Sequence, residues 1–248
     1  MTPAQMADIV KLTNTLSADV IVLLGDYLTL DYTCPGDMSA AEIAQLLVPL
    51  RTPLGVFSIL GNHDWWNDAQ ALKNSKKLPE MAFALKREGI PVLSNEAIRL
   101  QKDGYAFWLA GLESQWSFLD RTGGGDDLPK TLAALTDNSP AILLAHEPDI
   151  FPEVPNRICL TLSGHTHGGQ IRLFGYSPKV PSRFGNRYAY GHVIENGKHL
   201  IVSGGLGTSG GNLHTINQKL ARKLGRLGDK IFHVRFGVPP EIVIVDLE

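Results

Sequence analysis

Side chains able to bind a metal ion or move a proton fall into four short clusters along the chain. They are Asp26 after Gly25, then Asn62, His63 and Asp64 after Gly61, then His146, and last His165 and His167 in Gly164-His165-Thr166-His167. Carboxylate, amide-oxygen and imidazole donors suit manganese, iron or zinc, and a donor set without thiolate argues against a purely structural zinc site. A carboxylate has two oxygens, so Asp26 can bridge two ions. Two ions about 3.5–4 Å apart clamp a phosphoryl group and lower the pKa of a bound water. His63 follows Asn62, so both can face one site from one loop, where an imidazole can protonate a departing oxygen or stabilise developing charge. Asp64 can orient a histidine through its other ring nitrogen. The plainer readings are a turn at Gly25-Asp26, an Asx-turn at Asn62 and a core histidine at His146. Two histidines one residue apart on a loop are unusual without a ligand.

The elements that must position these residues are legible in the hydrophobic pattern. Met6, Ile9, Val10, Thr13 and Leu16 recur at helical spacing and predict a helix over about 3–17. Val20 to Leu24 is a continuous apolar run, as expected of a strand buried on both faces, and it ends at Gly25-Asp26. Ser39-Ala40-Ala41-Glu42 is a capping box that opens a helix to about Leu50. Gly55 to Leu60 predicts the next strand, ending at the Asn62 cluster, and a helix follows near Pro79 to Glu88. Ile90 to Gly111 reads as short strands around a turn at Asp103-Gly104. Leu128 to Leu135 predicts a helix. Ala141–Ala145 and Arg157–Leu162 predict strands, ending at His146 and His165. Strands are then expected at Gln170–Leu173, Tyr188–Glu195, His199–Ser203 and Glu241–Leu247. Ligands collect beyond the carboxyl ends of strands in open α/β sheets, so Asp26, Asn62, His146 and His165 should converge.

Composition narrows the classes. The 248 residues are 44% hydrophobic with a net charge of −2. That supplies a sizeable core and no basic field for nucleic acid, so neither a nucleic-acid partner nor a nuclease is expected. Cys34 and Cys159 have no zinc-ribbon or redox spacing, which favours free thiols in a reducing compartment. No apolar run is long enough to span a membrane, and no signal peptide is expected ahead of the first helix. A cytoplasmic location is expected.

The motif blocks together resemble the calcineurin-like metallophosphoesterase family, especially its bacterial phosphodiesterase-like branch. Gly61-Asn62-His63-Asp64-Trp65-Trp66, Ala145-His146-Glu147-Pro148-Asp149 and Leu162 through Gln170 look like its motifs. Val202 through Gly207 and Arg235 through Glu241 look like its C-terminal blocks. The resemblance implies a four-layer α-β-β-α sandwich of two mixed sheets in a single domain over 1–248. It implies that Asp26 bridges two metals, that Asn62, His146 and His165 complete one site, and that His167 belongs to the other. His63 would assist the transition state, and a metal-bound hydroxide would attack phosphorus. The implied reaction is hydrolysis of phosphoesters, with phosphodiesters first and monoesters or the pyrophosphate of a nucleotide-linked lipid second.

Two departures from the family pattern stand out. The family opens with a strand ending in Asp-x-His, both first-metal ligands, and this chain begins beyond that point. Two metals are expected if that motif lies upstream of Met1. One is expected if the chain is a single-metal relative, and a non-catalytic metal-binding scaffold is the alternative function. The intact remaining motifs favour an upstream motif and a missing first strand. The second departure is a probable insertion at 208–233. Leu213, Ile216, Leu220, Leu224, Leu227 and Ile231 follow helical spacing there, with Lys219, Arg222, Lys223, Arg226 and Lys230 on the other faces. The plainer reading is a solvated surface helix, since Gly225 and Gly228 weaken it. The alternative is peripheral contact of 212–230 with the inner face of the membrane, or with a lipid-like substrate.

Tyr27, Trp65 and Trp66 flank the metal-binding loops and are expected either to wall the leaving group or to serve as core. Arg172 and Arg187 are candidate phosphate ligands, because the guanidinium fork matches phosphate oxygens. His192, His199, His214 and His233 stand outside every motif.

Overall fold

The structure, a computed structural model, describes residues 1–28, 38–74, 77–118, 123–207 and 235–247. Helix α1 (Pro3–Asn14) starts at a capping box in which Thr2 and Gln5 satisfy each other's backbone N–H. Ser39 and Glu42 do the same for α2 (Ala40–Leu47). These pairs neutralise amide groups that a helix start leaves without partners.

Strands β1 (Ile21–Leu23) and β2 (Val56–Ser58) pair in parallel as a two-stranded sheet. Beyond β2 come α3 (Asn62–Trp66), α4 (Ala69–Lys73) and α5 (Glu80–Arg87). The second sheet is six-stranded and mixed. It comprises β3 (Glu96–Lys102), β4 (Tyr105–Gly111), β5 (Ala141–Leu144), β6 (Ile158–Ser163), β7 (Gly191–Glu195) and β8 (Lys198–Val202), in the order β3-β4-β5-β6-β8-β7. Helix α6 (Leu128–Ala133) lies between β4 and β5 in sequence. Strands β4, β5, β6 and β8 run parallel, with β3 and β7 antiparallel at the edges.

Side-chain alternation builds four layers from these elements. Ile21 and Leu23 of β1 pack with Val10, Ile43, Leu47, Met81 and Leu85 of α1, α2 and α5. Their neighbours Val22 and Leu24 turn the other way, with Phe57 and Ile59, to meet Leu109, Ile142, Leu144 and Leu160 of the large sheet. The outer face of that sheet, Trp108, Ala110, Ala141 and Leu143, is covered by Leu128 of α6 and Ile150. Both sheets are thus apolar on both faces, which is why the strand sequences are continuous apolar runs rather than alternating ones. The layering is the expected α-β-β-α sandwich.

The structure corrects several expected elements. Gln170–Leu173 forms only isolated bridges, Ile171 to Phe236 and Leu173 to Tyr176. Tyr188 closes a 3-10 turn (Gly185–Tyr188), and the strand starts at Gly191. Residues 241–247 form no strand. Val245 packs into the inter-sheet core, but Val243, Ile244 and Leu247 are exposed, so no buried face pins a register there. Asn62–Trp66 is a helical turn rather than an open loop. Cys34, His214, His233 and the segment 208–233 lie outside the described residues.

Candidate metal centre

The carboxyl ends of β1, β2, β5 and β6 meet at one end of the sandwich, and each carries one ligand cluster. Backbone contact between the first two loops depends on two absent β-carbons. Gly25 has φ +91°, and a Cβ on it would lie 2.3 Å from the Gly61 nitrogen. A Cβ on Gly61 would lie 2.2 Å from Asp26 Oδ1 and 2.6 Å from His146 Cε1. Asp26 (φ 59°), His165 (φ 63°) and His167 (φ 51°) also hold the left-handed conformation. Such backbone costs on the order of 1–3 kcal/mol per residue and persists where the surrounding structure over-determines it.

Asp64 fixes the loops together. Its Oδ2 accepts the N–H groups of Asp26 and Gly61, both at 2.9 Å, and its Oδ1 accepts those of Tyr27 (2.9 Å) and Leu28 (3.3 Å). The expectation that Asp64 orients a histidine is corrected, because its oxygens are committed to backbone amides. Burial, then the Asp26 charge, pushes its carboxyl up to about 7, against the pull of those N–H donors.

Asp26 Oδ1 accepts the His63 N–H at 2.9 Å, and Oδ2 lies 3.1 Å from His146 Nε2. His146 Nδ1 faces the Leu24 carbonyl at 2.5 Å. A carbonyl only accepts, so Nδ1 carries the proton and Nε2 a lone pair. Two electron-rich atoms 3.1 Å apart call for a cation between them. In the metal-free chain a proton serves: burial pushes the His146 imidazole down, but the Asp26 carboxylate outweighs it and lifts the ring to about 10. Burial pushes Asp26 up, but His146, His63 and His165 together hold it far below the ordinary carboxylate range.

His165 completes a cluster in which ligand atoms of Asp26, His146 and His165 lie within 4.8 Å of one another. Burial, with His146 beside it, keeps His165 well below the ordinary imidazole range and so neutral. Both its ring nitrogens, together with Asn62 Oδ1 and His63 Nδ1, are buried without a hydrogen-bond partner. A buried polar atom without a partner costs about 1–3 kcal/mol, so this concentration of orphaned lone pairs at one spot fits a divalent cation.

The other expected site residues fall differently. His167 lies outside the trio, with Nδ1 facing Arg235 Nη2 at 3.3 Å. Burial, with Arg235 and against Asp26, pushes it down to about 4. Trp65 and Trp66 are buried in the helix-side core, their indole N–H groups donating to Glu113 Oε1 and the Trp116 carbonyl at 2.8 Å. Tyr27 packs against the same core, with its hydroxyl 3.3 Å from the Leu23 carbonyl. All three take the core alternative. Arg172 lies over the Tyr190 ring at 5.7 Å and donates to Ser177 Oγ. Arg187 pairs with Glu195 at 2.7 Å.

Two site neighbours were not singled out by the sequence. Trp116 sets its edge on the His165 ring, centroids 4.6 Å apart. Arg235 stands beside His167; its place in the Arg235–Glu241 block was the one signal for it.

The chain belongs to the calcineurin-like phosphoesterase family, a family of hydrolases, whose model matches residues 2–169. It is similar to the uncharacterized metallophosphoesterase YkuE of Bacillus subtilis, 33% identical over 195 residues, 78% of this chain and 63% of that one. It is 29% identical to the phosphodiesterase YaeI of Escherichia coli, over 82% of this chain and 68% of that one. A Bos taurus transmembrane protein with metallophosphoesterase domain is 32% identical over 65% of this chain and 36% of its own length. The chain thus spans between about a third and two thirds of the length of these relatives.

Proposed function

We propose that this chain is the hydrolytic unit of a metal-dependent phosphoesterase acting first on phosphodiesters, with monoesters or pyrophosphates second. The observation that carries the reading is the set of buried, partnerless atoms on Asn62 and His165 gathered around the Asp26–His146 pair. Those four residues would hold the ion, with His167 as ligand to a second one, and manganese, iron or zinc suits the donor set. When bound, a divalent cation supplies a Lewis acid for the phosphoryl oxygens and an acidified water.

The remaining work belongs to the chain. Asp26 sets one carboxylate oxygen toward the centre while its other oxygen holds the His63 backbone. The Leu24 carbonyl fixes the His146 tautomer, so that Nε2 presents its lone pair. His63 has a buried, partnerless Nδ1 and a ring 5.2 Å from that of Trp66. It gives a proton to the departing oxygen. Trp116 shields His165 from water on one side. The preference for diesters draws support from the name of the Escherichia coli relative.

A lipid-like substrate and peripheral membrane contact through 212–230 belong to the same reading, and the transmembrane relative supports them. Among the described residues no helix is long and apolar enough to cross a membrane.

The test is hydrolysis of bis-p-nitrophenyl phosphate after chelation and reloading with manganese, with His63→Ala as control. Removing a positioned general acid should lower turnover about 10²- to 10⁴-fold with metal content kept. Full turnover in His63→Ala, or full turnover after chelation, would sink the proposal.

A further inference from the structure

Three motif blocks far apart in sequence converge on one guanidinium. Val238, fully buried, packs into a space left by two glycines: a Cβ on Gly168 or on Gly204 would lie 2.8 Å from its Cγ1. Glu241 closes the other side of this clasp. It accepts the Tyr190 hydroxyl at 2.6 Å and the Gly204 N–H at 2.8 Å, and Ser203 Oγ lies 3.2 Å away. The segment 235–241 is thereby held against the loop after β6 and the loop after β8.

The residue this clasp presents is Arg235. Its Nε donates to the Gly207 carbonyl at 2.7 Å, and Nη2 shares that carbonyl and faces His167 Nδ1 at 3.3 Å. Its Nη1 is buried and has no hydrogen-bond partner. A guanidinium is always charged and offers only donors. One edge of the fork is therefore anchored, with Nη2 toward His167, while Nη1 is left as an idle cationic donor next to Gly204, where an added Cβ would lie 3.3 Å from it. Arg172, a candidate phosphate ligand in the sequence, is instead occupied with Tyr190 and Ser177.

We propose that Arg235 is a substrate-binding residue whose Nη1 donates to a non-bridging oxygen of the phosphoryl group. The clasp formed by Gly168, Gly204, Val238 and Glu241 serves to seat it. The inference rests on the phosphoesterase reading for its ligand class, and one experiment separates the two.

Inorganic phosphate is titrated calorimetrically into the manganese-loaded wild type, Arg235→Lys and Arg235→Ala. Metal content and thermal unfolding are measured on each preparation. Arg235→Ala should bind phosphate at least about tenfold more weakly at unchanged metal content, the scale of one lost charge-assisted hydrogen bond. Arg235→Lys, which keeps the charge without the fork, should fall between. Added guanidinium ion should restore part of the affinity to Arg235→Ala, which a merely structural role would not allow. The inference is overturned by affinity within twofold of wild type in Arg235→Ala, by no phosphate binding in the wild type, or by metal loss that accounts for the weakened binding. If Arg235→Ala does not fold, Arg235→Lys with wild-type affinity and no guanidinium response overturns it. Arg235-dependent phosphate binding with no hydrolysis of nitrophenyl esters would sink the hydrolase reading alone. Hydrolysis with Arg235-independent phosphate binding would sink this one alone.

Discussion

Replacing Asp64 by asparagine removes one acceptor from the joint that holds the first two metal loops. The carboxylate receives backbone N–H groups in two pairs, Asp26 with Gly61 on Oδ2 and Tyr27 with Leu28 on Oδ1. An amide keeps one oxygen. Retaining the pair at 2.9 Å turns its NH2 toward Tyr27 and Leu28, donor against donor. Two part-buried N–H groups then lack an acceptor at up to about 1–3 kcal/mol each, so Asp64→Asn should lose up to about 2–6 kcal/mol of stability. Set against a typical domain stability of about 5–15 kcal/mol, that is a large share, yet a folded variant remains. The assay is urea unfolding at pH 8, above the value of about 7 to which the carboxyl is raised, so that the wild-type group is ionised. Metal content after dialysis is measured in parallel and should fall, because Asp26 is held by its own N–H to Asp64. A loss under about 1 kcal/mol with full metal content would show that the four amides do not depend on this carboxylate.

Other perturbations read other parts of the centre. Gly61→Ala places a methyl 2.2 Å from Asp26 Oδ1, and metal content measured by atomic emission should drop to near zero while circular dichroism stays native. Trp65→Phe deletes the 2.8 Å bond to buried Glu113 and should cost about 1–3 kcal/mol in denaturant unfolding. The metal-free protein should become less stable with rising pH. His146 is raised from 6.5 to about 10, so its contribution is complete below pH 6.5 and is lost as pH climbs through 10. Thermal midpoints followed across pH 6–10 with chelator should decline, and saturating manganese should flatten the curve. A flat curve without metal would contradict the shared proton between His146 and Asp26.

The ligand clusters and the strands behind them could be read directly, because each apolar run that spans the sandwich stops at a donor residue. Ser39 and Glu42 also marked the start of α2 without ambiguity. The partners of Asp64 were not readable. Three of its four donors are backbone amides 36 to 38 positions away, and backbone leaves no trace in residue type. Arg235 could not be told apart from Arg172 for a related reason. Both precede apolar residues, and what separates them is Tyr190 beneath one and His167 beside the other, contacts set by tertiary packing. The short bridges at 171–173 and the unpaired run at 241–247 show that β-prone residues form a strand only when a neighbouring edge and a buried face are both present.

Asp26 and Asn62 ride on the small sheet, while His146 and His165 ride on the large one. A cation held by all four would act as a rivet through the seam between the two slabs, beside the bond from His146 to the Leu24 carbonyl that already crosses it. Chelation would then remove a tie between the two sheets and not merely a ligand from one loop.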